Sequence, residues 1–262
     1  MRRFIAGVAA ALVLVGTASA AVREDPVTYR DGDTVMKGFI VYDDAQTARR
    51  PGIVVVHEWW GITRHVHEEA RKFASQGYTA FIADMYGDGK TADNPKDAGA
   101  LSGAVRSNPA AMLSRFNAAR DTLVRHATVD GTKIGASGYC FGGSVVLDMA
   151  RAGVDLKGVA AFHAGLGAAA AQAATGRVKS KVLVLNGEID PFIKPESIDA
   201  FKKEMAAANV DYRYISYPGA LHAFTNPEAT EKGLQFKLPL AYHAEADRQS
   251  KAEAAKFFQS VF

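Results

Sequence analysis

From residue 53 onward the chain alternates strand-like and helix-like segments, and this alternation restricts its fold more than any other feature. Gly52 precedes Ile53-Val54-Val55-Val56-His57, a continuous β-branched run. A strand with no polar face must be covered on both sides, as in a parallel sheet flanked by helices. Residues 64–76 read as a helix with Val66, Ala70 and Phe73 on one stripe, stopped by Gly77. Residues 79–83 form the next buried strand. The stretch 86–109 is rich in Gly, Asp and Asn, with one short helix near 96–105. A helix over 109–126 opens on Pro109 and keeps Met112, Phe116 and Ala119 in register. Then follow a strand at 132–136, a helix at 141–151 and strands at 156–162 and 181–185. A helix at 195–208, a strand at 211–217 and one long final helix at 238–261, with Phe257 and Phe258 inward, complete the series. The low-complexity stretch 164–174 fits either helix or loop. Upstream, residues 29–41 read as two strands around a turn at Asp31-Gly32-Asp33. The expected fold is an α/β, doubly wound, mostly parallel sheet with helices on both faces. No repeat or Pro/Ser-rich linker divides it, so residues 21–262 are expected to form a single domain.

The first twenty residues read as an address. Arg2 and Arg3 give a positive start, Phe4 to Val15 is apolar with one glycine, and Ala18-Ser19-Ala20 offers small residues to a signal peptidase. The apolar run is shorter than the ~20 residues a membrane-spanning helix needs. A secretory signal cleaved after Ala20 is therefore expected, with a periplasmic or secreted product and no membrane attachment afterwards. Cleavage removes two of the 31 basic residues against 28 acidic ones, taking the net charge from +3 to +1. So weak a charge argues against a nucleic-acid partner. The single cysteine excludes an intramolecular disulfide and any cysteine-only metal site.

That cysteine stands in Gly138-Tyr139-Cys140-Phe141-Gly142-Gly143, between a strand and a helix. The pattern is that of a nucleophile elbow with Cys in place of Ser. A sharp turn presents the nucleophile, and glycines on either side avoid collision with the adjoining strand and helix. The amide end of the following helix favours a thiolate and any oxyanion formed on attack. Two more strand ends carry matching chemistry. The strand 181–185 runs into Asn186-Gly187-Glu188-Ile189-Asp190-Pro191, and the strand 211–217 into Pro218-Gly219-Ala220-Leu221-His222-Ala223-Phe224. Ligands on such sheets bind beyond the carboxyl ends of the strands, where all three residues fall. Cys140, Asp190 and His222 thus give nucleophile, acid and base in a known chain order.

Together with His57-Glu58-Trp59-Trp60-Gly61 and Gln76-Gly77-Tyr78 leading to Asp84-Met85-Tyr86, these motifs resemble the dienelactone hydrolase family across roughly residues 25–260. The resemblance implies an α/β-hydrolase fold and hydrolysis of a cyclic enol-lactone or related ester by a Cys-Asp-His triad, without metal or cofactor. It also implies that Glu58 contacts the resting thiol and helps convert it to thiolate when substrate binds; a salt bridge to Arg64 is the bland alternative. The amides of Phe141 and Trp59 are expected to form the oxyanion hole. Trp60, Tyr86 and Phe224, together with Trp59, are expected to shape an apolar substrate pocket. Members acting on chlorocatechol-derived lactones carry arginine four residues past the catalytic histidine; here that residue is Asn226, and Arg106 is the one candidate for a second substrate arginine.

Two alternatives stand beside the lactonase. One is a general exported carboxylesterase or thioesterase, which the absence of arginine at 226 favours. The other is a non-catalytic thiol-bearing binding or redox protein, which would have no use for Asp190 and His222. His65-x-His67 invites a metal reading, but residues two apart on a helix face away from each other.

Overall fold

The computed structural model describes residues 22–262. The expected signal segment and its cleavage point lie outside them. One eight-stranded sheet runs through these residues in the order β1-β2-β4-β3-β5-β6-β7-β8. The hairpin β1 (Val22–Asp31) and β2 (Thr34–Asp43) is antiparallel, and β2 meets β4 (Thr79–Ala83) antiparallel. All later pairings are parallel, through β3 (Arg50–Val56), β5 (Val129–Tyr139), β6 (Gly158–Phe162), β7 (Lys181–Gly187) and β8 (Tyr212–Tyr217).

The two-sided burial of β3 explains its unbroken apolar run. Ile53 and Val55 join one core layer with Val66 and Phe73 of α1 (Arg64–Ser75) and Phe258 of α7 (Ala244–Val261). Val54 and Val56 join the opposite layer with Phe116 of α3 (Pro109–Val124) and Val145 of α4 (Phe141–Ala152). Alternate side chains point to opposite faces, so a strand covered twice has no place for a polar residue. Caps fix the ends of α2 (Pro95–Arg106) and α3. Asn94 and Asn108 accept hydrogen bonds from Asp97 N and Ala111 N, and each precedes a proline at the first helical position.

Two elements differ from expectation. The predicted final helix over 238–261 is shorter and has a neighbour. A separate helix, α6 (Ala229–Phe236), ends on Lys237 at φ 55°, and α7 begins at Ala244 with His243 as its cap. Pro239 is the physical reason, because it disfavours helical backbone at Leu238 and removes an amide donor. The intervening chain lies beside the His222 loop instead, through Ala241 N→His222 O (3.2 Å) and His243 N→Phe224 O (3.1 Å).

The stretch 164–174 resolves as irregular chain held by side chains. Buried Arg151 on α4 donates to Leu166 O (2.6 Å) and to Glu204 of α5 (Pro195–Ala207) at 2.8 and 2.9 Å. Ala169 N bonds Asp148, and Ala173 N bonds Glu204 Oε1 at 2.6 Å. Poly-alanine offers no pattern of its own, so the neighbouring charges decide its path. Arg151→Ala leaves Asp148 and Glu204 buried without their cation. Urea denaturation is expected to show a loss of about 3 kcal/mol, the scale for removing one partner of a buried ion pair.

Candidate active site

The turn between β5 and α4 puts Cys140 at φ 54°, ψ −113°, a strained conformation for any residue other than glycine. The turn survives because its surroundings leave it no alternative. Cys140 N donates to Phe162 O (3.0 Å), and Gly142 N donates to His57 O (3.1 Å). A Cβ on Gly138 would lie 2.1 Å from Gly142 O, and one on Gly142 would lie 2.3 Å from Val56 O. Both glycines are required by contact distance, as the motif predicts.

His222 lies between the thiol and Asp190. Its Nε2 is 3.1 Å from Cys140 Sγ, and its Nδ1 is 2.7 Å from Asp190 Oδ2. Asp190 is buried, and its other oxygen accepts from Phe192 N at 2.9 Å, which fixes the carboxylate. Burial opposes a charge on His222. The Cys140 sulfur and the Asp190 carboxylate outweigh it and raise the imidazole to about 10. The structure therefore brings together the three residues that chain order singled out.

Glu58 sits elsewhere than the resemblance implied. Its carboxylate accepts from Asn226 Nδ2 (2.6 Å) and faces His65 Nδ1 at 3.5 Å, while the recorded partner of the Cys140 thiol is His222. The Arg64 alternative fails too, since Arg64 pairs with Glu68 one turn along α1. Burial works against the charge on Glu58, but His65 and Asn226 prevail and hold its carboxyl at about 2. Residue 226 is buried, bonded to Glu58, and outside the lining of the cavity beside the thiol. His67 points to Glu24, so the two histidines of the His-x-His pair diverge.

The amide of Phe141 opens α4 and has no partner within its own helix. The Trp59 amide lies in the turn after β3, and among the described residues no hydrogen bond takes it up. Trp59 is held from behind by Tyr86, whose hydroxyl donates to Trp59 O at 2.8 Å.

Beside the thiol lies a cavity of about 330 Å³, lined by Trp59, Arg106, Phe192, Ile193, Leu238 and Leu240 around Cys140 and His222. Of the four aromatics expected in the pocket wall, Trp59 lines the cavity and the other three do not. Trp60 packs against Leu240 and Phe236, Tyr86 against His57 and Phe141, and Phe224 against His163 and Tyr217, all buried. Proximity to a motif did not separate wall from core. The walls Phe192, Ile193, Leu238 and Leu240 were missed. Pro191 and Pro239, which hold the chain out of helix beside them, were the available signal. Arg106 does line the cavity, with its guanidinium 5.5 Å from the centre of the Phe141 ring.

Glu58→Gln tests the buried pair. It should destabilise the fold by about 3 kcal/mol by removing the nearer of the two carboxylates that face buried His65. A carboxyl held at about 2 when folded and near 4.3 when unfolded contributes stability that is present above about 4.3 and lost as pH falls through 2. The wild type should therefore lose stability relative to Glu58→Gln between those values in pH-dependent chemical denaturation.

The dienelactone hydrolase family profile matches residues 36–262. Protein usf of Aquifex pyrophilus is 31% identical over 180 residues, covering 67% of this chain and 77% of that one. A solved dienelactone hydrolase-like promiscuous phosphotriesterase from metagenomic libraries superposes with a TM-score of 0.85 at 32% identity, covering 93% of this chain and all of that one. A second solved structure, titled m3DLH, gives a TM-score of 0.86 at 34% identity over 92% of this chain and 99% of its own. With the mostly parallel sheet and the site at its carboxyl edge, these likenesses show an α/β-hydrolase fold and a carboxylic ester hydrolase: the chain belongs to the dienelactone hydrolase family.

Proposed function

We propose that the protein hydrolyses a lactone or other small carboxylic ester through a Cys140–Asp190–His222 triad and an acyl-cysteine intermediate. The observation that carries this reading is the unbroken line Cys140 Sγ to His222 Nε2 (3.1 Å) and His222 Nδ1 to Asp190 (2.7 Å), with sulfur on a strained turn. His222 takes the thiol proton, and the sulfur attacks the ester carbonyl carbon. The amides of Phe141 and Trp59 receive the developing oxyanion. The carbon–oxygen bond breaks, and His222 returns the proton to the departing alkoxide or enolate. Water then gives a proton to His222 and attacks the thioester, and collapse of that adduct releases the acid and the thiolate. Asp190 holds the imidazole in the tautomer that directs Nε2 at sulfur.

The cavity supports a substrate with one apolar part and at most one anionic group. Its walls are mostly hydrocarbon, and among the described residues Arg106 is its one cationic side chain apart from His222. The inward turn of Asn226 favours the wider esterase reading over a lactonase confined to doubly gripped carboxylates. We assign the enzyme to the periplasm or exterior on the Arg2-to-Ala20 pattern of its sequence.

Burst kinetics on an activated aryl ester, with mass spectrometry of the quenched protein, tests the mechanism. An acyl adduct on Cys140 is expected, absent in Cys140→Ala, and turnover should fall at least ~10³-fold in His222→Ala. A folded, reduced wild type with neither burst nor adduct on esters or lactones overturns it. Arg106→Ala should raise KM about tenfold for carboxylate-bearing esters and leave neutral esters unchanged, as expected for loss of one charge-assisted hydrogen bond.

A further inference from the structure

His163 has no part in the mechanism above, yet it is held against the site at a cost. It follows β6, adopts φ 37° although it is not glycine, and is fully buried. Its Nδ1 is a buried nitrogen with no partner among the described residues. A strained backbone and an unpaired buried polar atom at one residue each carry a penalty. Ring packing alone does not explain them, since phenylalanine would fill the same space with no orphaned polar atom.

The hydrogen bonds around His163 have a direction. His65 is buried between Glu58 and Glu69, and burial opposes its charge but these carboxylates prevail and raise it. Its Nδ1 faces Glu58 across 3.5 Å as an ion pair without a hydrogen bond, and as an imidazolium it donates from Nε2 to Thr225 Oγ1 at 3.2 Å. Thr225 has one hydroxyl proton, and the remaining neighbour of its oxygen is His163 Nε2 at 2.9 Å. Thr225 therefore donates to Nε2, which makes His163 neutral with its proton on Nδ1. Its ring meets His222 edge to face with centroids 5.3 Å apart, while Phe192 meets His222 from another side at 5.1 Å.

We infer that His163 is a positioning residue for His222, a neutral imidazole locked in one tautomer by Thr225 and His65, which steadies the His222 ring and supports its positive charge. The inference rests on the triad reading. The charged and titratable groups facing His163 are His222 from the loop after β8, Glu58 from the end of β3, His65 from α1 and Lys251 from α7. Three of these, His222, His65 and Lys251, are cationic, so a protonated His163 would stand among like charges. Burial first and the charge on His222 next hold His163 neutral, and Thr225 fixes its tautomer.

The test compares wild type, His163→Phe and Thr225→Val on two measurements. One is the rate of Cys140 alkylation by iodoacetamide against pH, which reads the thiolate–imidazolium pair without substrate. The other is kcat on the aryl ester. In His163→Phe, with unchanged circular dichroism and melting temperature, the acidic limb of alkylation should move up by about one pH unit, tenfold in the pair's equilibrium. The kcat should fall about tenfold, a part of the ~10²–10⁴ that a whole general base supplies. Thr225→Val should shift both in the same direction by a smaller factor, and the double variant should add nothing to His163→Phe. A wild-type alkylation profile and kcat in folded His163→Phe overturn the inference. Should that variant not fold, Thr225→Val decides on the same two measurements, an unshifted profile overturning it. Failure of the triad reading is distinguishable, because it would appear as no acyl adduct in wild type.

Discussion

The structure turns on the close approach between the Cys140 turn and the end of β3. Gly142 reaches His57 O with no room for a side chain, and Gly138 folds back on Gly142. This contact joins the nucleophile's turn to the strand that carries Glu58 and Trp59, so the thiol and the two free amides share one rigid frame. Neighbouring parallel strands then bring Asp190 and His222 to the same edge from β7 and β8. Sheet register brings the three elements of the proposed triad together, and the short loops after β7 and β8 set Asp190 and His222 in place.

Behind the triad lies a layer of buried charge. Glu69 accepts from Lys72, Lys251 and the Tyr139 hydroxyl, and faces His65, which faces Glu58. Each member is neutralised by the next, which lets carboxylates and imidazoles persist out of water. Tyr139 adjoins the nucleophile, so this layer reaches the elbow from the side opposite the cavity. The charge on Glu58 is thereby committed to His65 and Asn226, while the thiol and His222 face each other directly.

Much of this was legible in the sequence where local rules operate. The β-branched run at 53–56 announced a doubly covered strand, and prolines 95, 109 and 195 each open a helix. The convergence of Cys140, Asp190 and His222, which carries the proposed triad, was legible because three strand ends carried the required types in order. The rest depended on partners far away in sequence. Whether Trp60 or Trp59 faces the cavity is decided by Phe236 and Leu240, some 180 residues later. The partners of Glu58 were equally hidden, because Asn226 lies 168 residues downstream. The break at Lys237 was readable from Pro239, but the apolar register of the following helix ran through it.

The walls of the cavity come from connections, and its chemistry comes from strand ends. Phe192 and Ile193 belong to the β7–α5 loop, Leu238 and Leu240 to the chain between α6 and α7, and Arg106 to the last turn of α2. Their side chains stand outside the strand pairing of β5, β7 and β8, and only the Phe192 amide, on Asp190, and the Leu240 backbone, bridged to His222, touch the three residues through the main chain. Selection can therefore rewrite what fits the pocket, residue by residue, without disturbing the catalytic register. A lineage with this architecture can exchange one ester for another while its reaction stays the same.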